Sequence, residues 1–144
     1  MESGKHIFFC LAITAIKNTD RRQWPCNQIC SLCNHEQETA AHLVLHCHFA
    51  RQIWDKLADW SEHLVTPPQP GIQLVDWWQK ELAQLPNKTR KTKAGLMMYC
   101  AWNLWKERNR RVFEQTTKNP AEVMQEIKLE VYTRKLACRE LELS

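Results

Sequence analysis

Residues 30–47 read CSLCNHEQETAAHLVLHC and carry the spacing that decides the fold. Cys30 and Cys33 are separated by two residues, and His42 and Cys47 follow after gaps of eight and four residues. A C-x2-C turn directs two thiolates at one centre, and a histidine and a cysteine on the next segment can complete a tetrahedron around Zn²⁺. The spacing therefore predicts one structural zinc ion held by these four side chains.

Other side chains in the same stretch could compete for a place in this site. Cys26 lies four residues before Cys30, and His35, His46 and His48 are near enough in sequence to supply the fourth ligand. The alternative without any metal is a set of packed free cysteines and surface histidines, since an unbound cysteine behaves as a small buried hydrophobe. The spacing favours zinc over this alternative.

The predicted ligand set is closed, which indicates a structural rather than a catalytic metal. A catalytic zinc keeps one position open for water, whereas three thiolates and an imidazole fill all four. The sequence shows no Gly-rich phosphate loop and no nucleophile–base pair, and Glu81, Glu107 and Glu130 are interpreted as solvated or paired surface acids on helices. We therefore expect a non-enzymatic protein without a small-molecule substrate.

The composition is typical of a globular protein in a reducing compartment. The 144 residues are 44% hydrophobic, include seven tryptophans and three glycines, and carry a net charge of +4. The seven cysteines form no disulfide-like pattern, which favours free or metal-bound thiols inside the cell, in the nucleus or cytoplasm. The apolar run at residues 6–16 is too short to span a bilayer, and we interpret it as a buried helix rather than a mitochondrial presequence. No membrane association is expected.

Helical periodicity dominates the chain, and strand-like alternation is missing from the sequence. The predicted fold class is all-α, with a short zinc-knuckle turn leading into a helical bundle of about five helices. Prolines in the TPPQPG stretch cannot continue a helix, so this stretch is predicted to be a linker. Three regions follow: a zinc-binding domain with an N-terminal helix at 1–65, the linker at 66–71, and a helical region at 72–144 that packs on the first.

Local capping signals predict where two of the helices begin. Thr39 is suited to cap the helical run that follows it, which is predicted to be one helix or two helices broken near Cys47. Asn119 precedes a proline and is followed three residues later by Glu122, which predicts an N-cap, a first-turn proline and a capping-box acid. The last helix should start there.

Between these signals the sequence predicts a short helix over 72–85 and a long one over 94–114. Pro86 and the polar basic run NKTRKTK are expected to separate them. Apolar residues of the long helix recur on one stripe, and most tryptophans fall on such stripes, so we expect them in the core. The stripe consists of Leu96, Tyr99, Trp102, Trp105, Asn109, Val112 and Phe113.

The string CSLCN…ETAAHLVLHCHFARQIW resembles the zinc-binding domain that follows the reverse transcriptase in plant LINE-type (non-LTR) retrotransposon polyproteins. The matching positions are Cys30, Cys33, Glu38, Thr39, His42, Leu43, Cys47, Phe49, Ala50 and Trp54. The flanks LAI…NTDRRQWPCN and MYCAWNLWKERNRRVFE also look like those of such elements. The Tyr-x-Asp-Asp loop of the polymerase is missing from the sequence, so the resemblance implies a C-terminal fragment without the polymerase.

Two basic clusters are candidate nucleic-acid contacts, because the resemblance implies that such domains help a polymerase engage RNA or DNA. Each lysine or arginine that contacts a phosphate releases counterions. The clusters are Lys88, Arg90, Lys91 and Lys93, and Lys106, Arg108, Arg110 and Arg111. Three alternatives stay open: solvated helix faces without a ligand, a protein-interaction module of a domesticated element that acts through a host protein, and a fragment without a selected role that folds around its metal.

Overall fold

The computed structural model describes residues 29–143, and the side chains of residues 29–135. The predicted N-terminal helix and the alternative ligand Cys26 lie outside the described residues. Within this range the all-α fold class is confirmed, since the extended pairing is limited to one isolated antiparallel bridge between Ile29 and Gln37. Among these residues, no helix combines the length and the apolarity that crossing a bilayer requires.

Four α-helices and two π-helical turns make up the described part of the chain. The α-helices are α1 (His48–Trp60), α2 (Leu74–Leu82), α3 (Asn87–Asn109) and α4 (Pro120–Leu143). The π-helical turns are π1 (His42–His46), which precedes α1, and π2 (Arg110–Glu114), which extends α3. Helix α3 contacts π1 and each of the other three α-helices, so it is the centre of the bundle.

The helical run after Thr39 is broken at Cys47. Of the two predicted alternatives, one helix or two, the structure shows two. The Thr39 hydroxyl accepts a hydrogen bond of 3.0 Å from the His42 backbone N–H, which confirms its capping role. At Cys47 the backbone leaves the helical region (ψ 139°), and α1 starts at the next residue. The Trp54 indole N–H donates to the Val44 carbonyl at 2.7 Å, which satisfies an acceptor near the break.

Helix α3 begins seven residues earlier than predicted, so the basic run is not a separating loop. Residues 87–93 form its first two turns. Lysine and arginine are good helix formers, and Pro86, which lacks a backbone donor, costs nothing immediately before a helix. The short helix α2 lies within the predicted 72–85 range, and the stretch 66–71 is non-helical as expected. The division into domains at this stretch stays a prediction.

The start of α4 confirms the predicted capping box. The Asn119 backbone N–H donates to the Glu122 carboxylate at 3.0 Å, and the Glu122 N–H donates to the Asn119 side-chain oxygen at 2.8 Å. This reciprocal pair satisfies two donors that the first helical turn would otherwise leave unbonded.

The core surrounds α3 on more than the predicted stripe. Leu96, Tyr99 and Trp105 are buried as expected, whereas Phe113 at the end of the stripe is 61% exposed. A second face of the helix is also buried, because π1, α1, α2 and α4 together cover most of its circumference. Its buried apolar residues are Met97, Met98, Cys100, Ala101 and Leu104.

Tryptophans join the helices across the core, in agreement with the expectation. Trp54 and Trp77 are buried and meet edge to face with ring centroids 5.3 Å apart. This arrangement is favourable for aromatic quadrupoles. Trp60, Trp78 and Trp102 are only partly buried and pack against the same core.

Candidate metal centre

The first two ligands are presented by a tight turn. The Cys30 N–H donates to the Glu36 carbonyl at 2.7 Å, and the Asn34 N–H donates to the Cys30 carbonyl at 2.8 Å. Asn34 adopts a left-handed conformation (φ 60°), which asparagine tolerates better than most residues. These bonds fold residues 30–36 back on themselves and turn the thiols of Cys30 and Cys33 to one side.

The π1 turn brings the other two ligands together. Side chains five residues apart on an α-helix would point about 140° apart. In π1 the Cys47 N–H instead bonds to the His42 carbonyl at 2.6 Å, which is the i→i+5 bond of a π-helix. His42 and Cys47 therefore lie one wide turn apart and can face the same point.

The four side chains form a cluster with the dimensions of a zinc site. Their ligand atoms all lie within 4.8 Å of one another. The Sγ atoms of Cys30 and Cys47 are 3.8 Å apart, and Cys33 Sγ lies 3.4 Å from His42 Nε2. Two thiolates bound at ~2.3 Å to one tetrahedral zinc would be about 3.8 Å apart. Cys30, Cys33, His42 and Cys47 can thus hold one zinc ion, as predicted.

The paired thiols of Cys30 and Cys47 differ in acidity. Their hydrogen bond lowers the pKa of Cys30 to about 5 and raises the pKa of Cys47. The Leu32 N–H also donates to Cys30 Sγ at 3.4 Å, which favours the thiolate form. A bound dication would displace the proton that Cys47 retains, because zinc binds the thiolate form.

A carboxylate lies behind the histidine ligand. Glu36 Oε2 is 3.4 Å from His42 Nδ1, while Nε2 faces the thiol of Cys33. A carboxylate on the far nitrogen of a metal-bound histidine fixes the tautomer and the ring orientation. This arrangement suits a histidine that binds zinc through Nε2.

The competing histidines are not part of the cluster. His46 Nε2 is bonded to the Ile72 carbonyl at 2.8 Å, which ties π1 to the segment before α2. His35 and His48 are exposed and do not join the four clustered ligands. The geometry thus favours His42 among the histidines of this stretch.

Comparison with known proteins agrees with this geometry. Residues 5–54 match the family model described as zinc-binding in reverse transcriptase. The matched segment contains all four ligands, so the coarse form of the resemblance is confirmed. No curated protein and no solved structure matches the chain.

The first basic cluster is largely exposed. Lys88, Arg90 and Lys91 are exposed in the first turns of α3. The Lys93 side chain is only 12% exposed, and its ammonium lies 3.5 Å from Glu81. Three of the four predicted nucleic-acid contacts in this cluster are therefore available to a ligand.

The second basic cluster is used inside the molecule, so its prediction as a phosphate-contact surface needs correction. Arg108 is 1% exposed and donates two hydrogen bonds to the Glu38 carboxylate, at 3.0 and 3.2 Å. Arg110 and Arg111 are both paired with Glu107. Lys106 lies 3.6 Å from Glu130. The prediction that Arg108 contacts phosphate is wrong, because its side chain is buried. The charges of Arg110 and Arg111 are paired with a carboxylate.

Two acids have roles that the sequence interpretation did not assign. Glu107 is fully buried rather than a surface residue, and it accepts from Arg110, Arg111 and the Lys118 backbone N–H. Glu38 is 5% exposed, and in the sequence only the family pattern distinguishes it from other acids. The Glu-x-x-Arg-Arg spacing at 107–111 places both arginines within reach on one helical face, and this signal could have identified the Glu107 pairings.

Proposed function

We propose that this chain is a zinc-stapled, non-catalytic module that binds nucleic acid and descends from the tail of a plant LINE-type reverse transcriptase protein. The observation that carries the proposal is the exposed group of Lys88, Arg90 and Lys91 at the start of α3. The family match over residues 5–54 supports the origin. The free and zinc-binding thiols suit a reducing compartment, the nucleus or cytoplasm.

The start of α3 suits phosphate for two reasons. Three exposed cations lie within four residues, and the backbone N–H groups of a helix N-terminus add partial positive charge. Arg90 also donates to the Leu85 carbonyl at 3.3 Å, a contact that an incoming phosphate could replace. Contacts of this kind bind the backbone of a nucleic acid and carry no base preference.

The test is a fluorescence-anisotropy titration of the zinc-loaded chain against single-stranded RNA and duplex DNA at several salt concentrations. Replacing Lys88, Arg90 and Lys91 by glutamine should weaken binding and reduce the log–log salt slope by about 2 to 3, because each lost phosphate contact removes about 0.7 to 0.9 from the slope.

A matched control replaces the exposed residues Arg51, Lys56 and Lys135 by glutamine. This control removes the same three positive charges. If the binding site is at the start of α3, the control should lose less affinity than the Lys88, Arg90 and Lys91 variant. If both triple variants lost the same amount of nucleic-acid affinity, binding would depend on general charge attraction. That result would contradict the assignment of the binding site to α3.

A protein-binding role is the second candidate, favoured by a groove of ≈ 390 Å³ between α1 and α4. Leu129 and Tyr132 of α4 are 66% and 51% exposed, and Tyr132 meets Trp60 of the groove edge to face at 6.0 Å. The groove is lined by Lys56, Asp59, Trp60, Ala121, Met124, Gln125 and Lys128. Failure of the chain to bind either nucleic acid saturably at low salt would favour this role, with a host protein as partner.

A further inference from the structure

The guanidinium of Arg111 holds the turn between the first two zinc ligands. Its Nη1 donates to the carbonyls of Ser31 and Leu32, at 3.2 and 3.1 Å. These are the two residues between Cys30 and Cys33. The same guanidinium stacks on Phe49, 4.7 Å from the ring centroid, and donates through Nη2 to the Lys118 carbonyl at 3.3 Å. One side chain from π2 thus connects the C-x2-C turn, the start of α1 and the segment before α4.

A second arginine holds the segment that leads to the histidine ligand. Glu38 lies four residues before His42, and Arg108 binds both of its oxygens at 3.0 and 3.2 Å. Both partners are buried, and Arg108 also contacts the Trp105 ring at 5.2 Å from its centroid. Two parallel hydrogen bonds between a guanidinium and a carboxylate fix the orientation of both side chains. The two arginines therefore contact both chain segments that present zinc ligands.

Glu107 positions the first of these arginines. Its carboxylate accepts from Arg111 Nε at 2.8 Å and from the Lys118 backbone N–H at 2.9 Å, and it also pairs with Arg110. With Nε bound to Glu107, Nη1 of Arg111 faces the two carbonyls of the turn and Nη2 faces the Lys118 carbonyl. All of these residues lie after residue 54, outside the segment that the zinc-binding family model matches.

We propose that Arg111 and Arg108 are positioning residues of the zinc centre, so that metal retention depends on the C-terminal end of α3 as well as on the segment 5–54. Arg111 binds backbone carbonyls between the first two ligands, and Arg108 binds the carboxylate of Glu38 ahead of the histidine ligand. Partners behind the ligands of a metal site commonly contribute ten-fold or more to metal affinity. The inference concerns the metal centre and does not depend on nucleic-acid binding.

The experiment measures zinc release from the full chain into excess chromophoric chelator. Arg111→Lys keeps the charge, but its single ammonium nitrogen cannot replace the separate Nε, Nη1 and Nη2 donors that reach Glu107, the turn and the Lys118 carbonyl. Zinc should therefore leave about ten-fold faster or more. The same variant loaded to saturation with Co²⁺ should show altered d–d absorption, because the C-x2-C turn is no longer held in one geometry. If the lysine variant does not fold, Glu107→Gln provides the same test, since it removes the charge that orients Arg111.

The matched control is Ile127→Ala, which opens a cavity at a fully buried position of α4 that makes no polar contact with the turn. It lowers stability without changing the support of residues 30–33. Equal zinc release rates and identical Co²⁺ spectra in Arg111→Lys and Ile127→Ala would overturn the proposal, because the effect would then follow from stability alone. Faster zinc release and a changed Co²⁺ spectrum in Arg111→Lys, compared with Ile127→Ala, would support it.

Discussion

At the scale of single residues, the four ligands have unequal surroundings. Cys30 and Cys47 are fully buried, His42 is 8% exposed, and Cys33 is partly exposed. Cys100 is also a buried thiol, but it lies within α3 away from the cluster, and burial raises its pKa. Cys30, Cys33 and Cys47 are thus placed to bind metal, whereas Cys100 serves as a small apolar side chain of the core.

Replacing Cys33 by serine should prevent zinc binding and unfold at least the N-terminal half of the chain. Structural zinc contributes ~10 kcal/mol or more of apparent binding free energy, which is comparable to the whole stability of a small domain. Circular dichroism and metal analysis would measure the loss of helix and of zinc. The control Cys100→Ala should keep its metal. A soluble, fully helical Cys33→Ser chain without metal would contradict the structural role.

Zinc affinity should decrease as the pH falls from about 8 to about 5. The site requires thiolates and a neutral imidazole, so protons compete with the metal for every ligand. The raised pKa of Cys47 means that the metal-free pair still holds its proton at neutral pH and must release it on binding. Calorimetric titration in two buffers of different ionisation enthalpy would detect the released protons. An affinity that is constant over this range would exclude thiolate ligation.

At the scale of elements, each π-helical turn lies at a point where the chain presents side chains to the zinc-binding segment. The first replaces an α-helical turn between His42 and Cys47, and the second presents Arg110 and Arg111 to the rest of the molecule. A π-turn rotates the following side chains relative to the preceding ones, and such turns are frequent at functional sites. Hydrophobic periodicity contains no signal for these turns.

The Asn119–Glu122 capping box should contribute measurably to α4. Asn119→Ala removes the acceptor for the Glu122 N–H and should lower the free energy of unfolding by about 1 kcal/mol. Urea denaturation of the zinc-loaded chain would measure this. Thr117→Ala changes an exposed residue of the same loop and should have almost no effect. Equal stability of the two variants would argue against the cap.

At the scale of the whole molecule, one buried ion pair joins segments that are 70 residues apart in sequence. Glu38 belongs to the zinc-binding segment and Arg108 to α3, so their contact holds the knuckle against the helical bundle. Taking both charges out of water is costly, and the pair is tolerated because each guanidinium–carboxylate bond has good geometry.

Glu38→Ala should destabilise the chain by about 3 to 5 kcal/mol, because it leaves Arg108 buried without its partner. Replacing both residues by apolar side chains of similar size should restore much of the loss. Denaturant titrations of the two variants would establish the difference. Lys106→Ala, which removes a partly exposed pair with Glu130, should cost no more than about 1 kcal/mol. If Glu38→Ala lost no more stability than Lys106→Ala, the buried pair would not be needed for the stability of the fold.

Much of the fold could be predicted because its signals are local. The Thr39 cap and the capping box at Asn119 each depend on residues within a few positions. The break at Cys47 was only one of two alternatives that the sequence allowed. The start of α3 was misplaced because a run of lysines and arginines suits both a loop and an exposed helix. The stripe on α3 was incomplete, since a helix covered by several neighbours is buried on more than one face.

The sequence by itself predicted four residues that can hold zinc and the helical fold class, because the first and last of the four are only 17 residues apart and their spacing reflects the local backbone. Only the tertiary structure decided the role of the second basic cluster. Arginines on a helix look alike in sequence whether they face solvent or a buried carboxylate, and Glu38 comes from a distant segment. Burial and pairing depend on which surfaces meet when the chain folds, and no local pattern records that.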